Sequence, residues 1–180
     1  MKKLSKSDAN KNITTNEMQL NKDDFIVSKT DTKGNIIYCN EIFAKMAGYP
    51  ASSLIGANHN LIRHPHMPKL AFKMAWDLIK NKKEFSGFIK NLTIDGGYYW
   101  VFAYITADLD ANSKIISYTS VRRKAPQSAI EQILPLYKLL LDAENRGGTE
   151  SSAKVLEDFL EKHHTNYDEL IINLQKGVQL

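Results

Sequence analysis

The chain has 180 residues, 43% of them hydrophobic, a formal net charge of +4 and a single cysteine. That is apolar material for one core with helical or flexible extensions, and Cys39 alone excludes an internal disulfide and fits a reducing compartment. No run approaches the roughly 18 apolar residues of a membrane span, Met1 to Lys11 lacks an apolar signal core, and the scattered lysines do not form the aromatic-interleaved stripe of a nucleic-acid surface. A cytoplasmic protein is expected, with no nucleic-acid partner and no direct membrane insertion.

Residues 1–22 are polar and read as an N-terminal cap or flexible segment. Phe25 to Asp31 and Ile36 to Cys39 read as two strands joined by the turn Thr32-Lys-Gly-Asn35, where Gly34 and Asn35 suit positive φ. Asn40 is placed to cap a short helix that Gly48 ends. Helical turns follow from Ser52 to Ile62, then a longer helix begins at Pro68. Its charges Lys69, Lys73, Asp77 and Lys80 share a narrow strip, and Leu70, Phe72, Met74, Trp76, Leu78 and Ile79 fill nearly all the rest. A surface helix shows one apolar stripe, so this helix is expected to be covered on two sides, by the sheet and by either a cofactor or more protein.

Three more strands are expected at Phe85 to Thr93, Gly97 to Thr106 and Lys114 to Arg122, with turns at Asp95-Gly-Gly97 and Asp110 to Ser113. This order predicts an α+β fold, a five-stranded antiparallel sheet with helices on one face. A C-terminal helical extension occupies residues 125–180: one helix from Pro126 to about Asn145, a break at Gly147-Gly148, and a second helix from about Ser151 to Lys176. It reads as a helical hairpin for docking or dimerisation, so a homodimer is one expected arrangement. Tyr98, Trp100, Phe102 and Tyr104 make the outer face of the second meander strand apolar as well. The terminal helices, a second subunit or a partner must cover that face. On the inner side, Val101 and Ala103 are small enough to leave room for a ligand.

The run Asn58-His-Asn-Leu-Ile-Arg-His-Pro-His-Met-Pro68, with Ala71-Phe72, Trp76, Ser86-Gly87, Lys90-Asn91, Tyr99-Trp-Val101, Ser120-Val-Arg122 and Leu134-Pro-Leu-Tyr-Lys138, resembles the PAS domains of bacterial aerotaxis receptors. The similarity covers roughly residues 23–140. It implies a PAS sensor domain over 23–124, with FAD held non-covalently between the helical middle and the sheet. Full aerotaxis receptors continue into a membrane anchor and a methyl-accepting region, and the chain looks more like the separate PAS partner of a bipartite energy-taxis system. The implied partner is a membrane-bound chemotaxis-type transducer. His66 departs from the pattern, which usually carries an aspartate there.

With that resemblance in hand, the cofactor-binding candidates are Arg63, His64, Trp76, Phe72, Asn91, Asn40 and His59. A guanidinium fork at Arg63 suits a pyrophosphate. Trp76 and Phe72, one turn apart, offer flat faces to a ring. Asn91 shares a strand face with Phe85, Gly87 and Ile89 and can read a flavin edge by hydrogen bonds. Asn40 and His59 match further pocket positions, Asn40 being equally explained as a helix cap. His59 stands where photosensory LOV domains carry their adduct-forming cysteine, so blue-light adduct chemistry is not expected. His59, His64 and His66 raise haem or a metal as alternatives, weakened by the constraint of Pro65 and Pro68. A cofactor-free interaction module is the other alternative. No phosphate loop, G-x-S-x-G or paired metal motif supports an enzyme.

Overall fold

The computed structural model describes residues 4–179. Strands β1 (Ile26–Thr30), β2 (Ile36–Cys39), β3 (Phe85–Leu92), β4 (Tyr98–Leu109) and β5 (Ile115–Lys124) form one antiparallel sheet in the order β2-β1-β5-β4-β3. The expected α+β layout is present. Asp31 fixes the first hairpin, its carboxylate accepting from the backbone N–H groups of Lys33 (2.9 Å) and Asn35 (2.8 Å). Gly34 takes φ 83°, which its lack of a Cβ permits.

Helices α1 (Glu41–Ala47), α2 (Ala51–Leu54) and α3 (Lys69–Lys80), with a 3₁₀ turn at His59–Ile62, form the helical layer between β2 and β3. Asn40 caps α1 by accepting from Phe43 N–H (3.1 Å), and Gly48 ends the helix at φ 76°. As expected, α3 is covered on two sides. Leu70, Ala71, Ala75 and Ile79 are buried, Phe72, Ala75, Trp76 and Ile79 border a cavity, and α4 (Gln127–Lys162) packs against the helix from elsewhere.

The C-terminal helices cover the other sheet face. Trp100 stacks with Tyr137 of α4 (6.3 Å), Phe88 meets Phe102 edge-on (5.6 Å), and the Tyr137 hydroxyl donates to the Phe88 carbonyl (2.8 Å). The aromatic face is therefore largely buried by this chain itself, although Tyr104 remains 37% exposed. The expected break at Gly147-Gly148 is a kink, Gly148 taking φ 72°. A second break was not expected: the chain turns again at 163–166, and α5 (Tyr167–Gln175) begins with Asn166 accepting from Glu169 N–H (2.9 Å). Hydrogen bonding of Asn166 to a residue three positions on is the physical reason.

The polar start is laid along the sheet. β5 pairs with β4 only as far as Val101, and the N-terminal segment pairs alongside the residues beyond: Met18 N–H donates to Tyr98 C=O (2.8 Å) and Tyr98 N–H to Asn16 C=O (2.9 Å). Leu20 is 2% exposed.

Glu144 of α4 joins the two helical groups, its carboxylate accepting from the first N–H groups of α3 at Lys69 (2.9 Å) and Leu70 (2.8 Å). These are two of the donors that every helix leaves unpaired at its start. Glu144→Ala is expected to lower unfolding free energy by about 1 kcal/mol, read as a lower denaturant midpoint with an unchanged slope.

Candidate functional site

Between α3, the 3₁₀ turn and the inner sheet face lies a cavity of about 670 Å³, inside the range of cofactor pockets. Its walls are layered. The sheet contributes Phe85, Ile89 and Asn91 from β3, Ala103 and Ile105 from β4, Tyr118, Ser120 and Arg122 from β5 and Ser28 from β1. Period-2 alternation puts these on one face. The helical layer contributes His59, Ile62, Phe72, Ala75, Trp76 and Ile79. The interior is open rather than filled by its own side chains.

Five of the seven expected residues meet here. Arg63, Phe72, Trp76, Asn91 and His59 all line the cavity. The Arg63 guanidinium lies 4.1 Å from the centre of the Phe72 ring, and the Lys80 ammonium 5.4 Å from that of Trp76. Arg63 is also brought to Asn91 by an isolated antiparallel bridge on the edge strand.

Two do not line it. Asn40 is used up by structure: its Oδ1 accepts from Phe43 N–H and Val27 N–H (3.1 Å each) and its Nδ2 donates to Phe25 C=O (2.7 Å). The helix-cap explanation accounts for it. His64 is fully buried away from the cavity, its ring against His66 (4.8 Å) and Tyr98 (5.9 Å), its Nδ1 accepting from His66 N–H (3.1 Å). The tight turn before Met67, where Met67 N–H donates to His64 C=O (3.1 Å), accompanies this placement. Val101, expected to leave room beside Ala103, is buried but does not border the cavity.

Arg122 is the residue the sequence reading passed over as a site. It is 2% exposed yet lines the cavity. Nη2 donates to Ser28 Oγ (2.6 Å), Nη1 lies 3.4 Å from His59 Nε2, and the guanidinium sits 4.5 Å from the Phe43 ring centre. Nε has no partner among the described residues. Burial lowers its pKa to about 10. A signal existed: Arg122 has the inward parity of Tyr118 and Ser120, but the Arg122-Arg-Lys124 run reads as a solvated cluster.

The polar chemistry of the cavity is one-sided. Arg122 stands at depth, Lys33, Arg63, Lys69, Lys73 and Lys80 also line it, and no Asp or Glu does among the described residues. The Asn91 amide nitrogen, 3% exposed as a residue, likewise lacks a partner. Lys73 is paired with Asp77 (2.6 Å), but the unmet donors and the remaining cations of the lining favour an anionic, acceptor-rich ligand. His59 is neutral: burial, then the Arg122 charge, pull its pKa to about 3.

Residues 36–122 match a family model described as the PAS fold. The fold is the PAS fold. It is 36% identical over 128 residues to an aerotaxis receptor from Escherichia coli (strain K12), covering 71% of this chain and 25% of that one. It is 29% identical over 118 residues to a nitrogen fixation regulatory protein from Klebsiella oxytoca, covering 65% and 24%. The chain thus spans about a quarter of the length of these curated relatives. Among solved structures, the light-state Aureochrome1 LOV domain superposes with TM-score 0.52 at 22% identity, covering 71% of this chain and 92% of that one. The LOV domain of a blue-light activated histidine kinase from Erythrobacter litoralis EL346 does so at 0.52 and 24% identity, covering 57% and 97%. These likenesses concern the fold. Among the described residues no helix is long and apolar enough to cross a membrane.

Proposed function

We propose that this PAS domain binds FAD non-covalently in the cavity and signals redox or energy status to a membrane-bound chemotaxis-type transducer. The observation that carries the reading is the donor-rich polar lining, which contains no Asp or Glu among the described residues: unmatched nitrogens at Asn91 and Arg122 and cations at Arg63, Lys69 and Lys80. FAD matches it with carbonyl and ring-nitrogen acceptors at one end and a pyrophosphate further along. The similarity to a protein named aerotaxis receptor supports the signalling role.

Bound FAD supplies a centre that accepts and returns electrons. The residues' tasks follow from their places. Asn91 and Arg122 would donate hydrogen bonds to acceptors of the ring, and Ile89, Ala103 and Ile105 would give it an apolar wall on the sheet side. Arg63, Lys69 and Lys80 would attract the phosphates, and Phe72 and Trp76 would offer flat apolar surfaces to the group. Haem fits less well. His59 is the imidazole among the lining residues, and its Nε2 faces Arg122 Nη1 and Ser28 Oγ, each 3.4 Å away, rather than the open space an axial ligand needs.

The protein purified after gentle lysis is expected to be yellow, releasing FAD on heating, and Arg63→Ala with Trp76→Ala together are expected to lose most of the flavin while remaining folded. A colourless protein that takes up no added FAD would overturn the reading.

A further inference from the structure

Phe85, at the start of β3, belongs to two environments. It lines the cavity, and it also stacks on Tyr167, the first residue of α5, with ring centres 6.2 Å apart and planes at 22°. Two residues further on, a methyl group on Gly87 would lie 2.8 Å from Phe85 Cζ and 3.0 Å from Tyr167 Oη. The bare backbone at Gly87 is what lets the two rings and β3 come together. α5 carries Tyr167, Leu170, Ile171 and Leu174 at the i, i+3, i+4, i+7 spacing of a helix lying on an apolar seat, and the last three are at most 1% exposed.

That seat is incompletely satisfied. Tyr167 Oη and Gln175 Oε1 of α5 are buried with no partner among the described residues. Each regains a hydrogen bond from water when α5 lifts, so the docked and lifted states lie closer in energy than the apolar contacts alone would place them. In the short connection from α4, His164 holds φ 50°, an uncommon conformation for a residue with a side chain, which lifting also relaxes.

We infer that α5 is a strap whose grip on the sheet reports whether the cavity is filled, with Phe85 as the contact between ligand and strap. The inference rests on the ligand-binding reading above and extends it to an output element. A filled cavity props Phe85 against Tyr167 and holds α5 down. An empty one lets Phe85 divide its time between the cavity and Tyr167, which weakens the stack without abolishing it. Lifting α5 also removes Asp168 and Ile172 from the wall of a neighbouring groove that includes Phe102 and Tyr104, exposing more of the sheet.

The test is amide hydrogen exchange in the full chain, with FAD occupancy followed by its absorbance. Saturation with FAD is expected to slow exchange across α5 about tenfold; equal α5 rates in loaded and empty protein overturn the strap while leaving FAD binding intact. If FAD is not retained, the ligand reading fails and the strap is judged in the ligand-free chain. There Phe85→Leu is expected to speed α5 exchange about tenfold with α1 unchanged, Gly87→Ala to do the same by displacing Tyr167, and Tyr167→Phe to slow it by removing the unpaired hydroxyl. Unchanged α5 rates in Phe85→Leu overturn the inference.

Discussion

Arg122→Met is expected to change two properties in opposite directions: the ligand-free protein becomes more stable, and FAD is bound about 10- to 100-fold more weakly. The first follows from the position of the charge. A guanidinium 2% exposed, with no carboxylate partner shown and an unmet Nε, carries a desolvation cost that neutral contacts to Ser28 and Phe43 offset only in part. Methionine keeps much of the volume without the charge; replacing whole buried ion pairs by apolar residues is often neutral or stabilising by about 1–4 kcal/mol, and a gain toward the low end of that range is expected here. Ser28 Oγ and His59 Nε2 lie 3.4 Å apart and retain each other as partners. The second follows from the strength of a hydrogen bond to a charged donor, about 1.5–3 kcal/mol, or one to two decades in affinity. Chemical denaturation of the stripped protein measures the first effect, and FAD titration by fluorescence quenching the second. A variant that gains stability and binds FAD unchanged would remove Arg122 from the ligand contacts; one that loses stability would show that its bonds to Ser28 and His59 dominate.

The pairing of opposite effects explains how such a group persists in the fold. A residue kept for stability alone would come with an acid beside it. On the proposed reading the stabilising partner is supplied by the ligand that enters the cavity, which would link occupancy to stability by mass action.

What could be read from the sequence was what repeats or punctuates. Glycines at positive φ placed the first hairpin and the end of α1, Asn40 declared itself as a cap, and the two-sided apolar pattern of α3 foretold a helix with sheet-side and outer neighbours. Single-residue facts with no period were not legible. Arg122 differs from Arg123 beside it only by strand parity, yet one is 2% exposed and the other lies on the opposite face, 5.2 Å from the Phe102 ring centre. His64 sits next to Arg63 in a run that resembles the family, and the turn before Met67 sends the two to different places. The course of the N-terminal segment along β4 is set by backbone hydrogen bonds, which leave no side-chain pattern. The break at 163–166 had a readable sign, Asn166 followed three residues later by Glu169, but no glycine or proline to draw attention to it.

Acid sensitivity is the second large effect expected, and it comes from two histidines held neutral. His59 is depressed to about 3 by burial and then by Arg122; His64 is depressed to about 3 by burial and then by Lys90, His66 and Lys6. In the unfolded chain each takes a proton near its ordinary 6.5, and in the native state only near 3. Between those values the unfolded chain binds more protons, so stability rises with pH across the window and is fully present above it. The slope is up to about 1.4 kcal/mol per pH unit for each histidine, or about 2.7 for both. Carboxylates such as Asp108, which bonds from Ser117, Thr119 and Lys29 pull down against the upward push of burial, lose their contribution only as pH falls from the ordinary value of 3.8 toward their lower native one, so pH 5 to 6.5 isolates the histidines. Denaturant midpoints measured across that interval are expected to fall steadily with acidity. His59→Gln and His64→Asn, which retain an acceptor near Nε2 and Nδ1 respectively, are each expected to flatten the slope by about half. A slope left untouched by both would mean that neither ring is held neutral in the native state, and with it would go the picture of a cavity whose fixed positive charge resides on Arg122 rather than on His59.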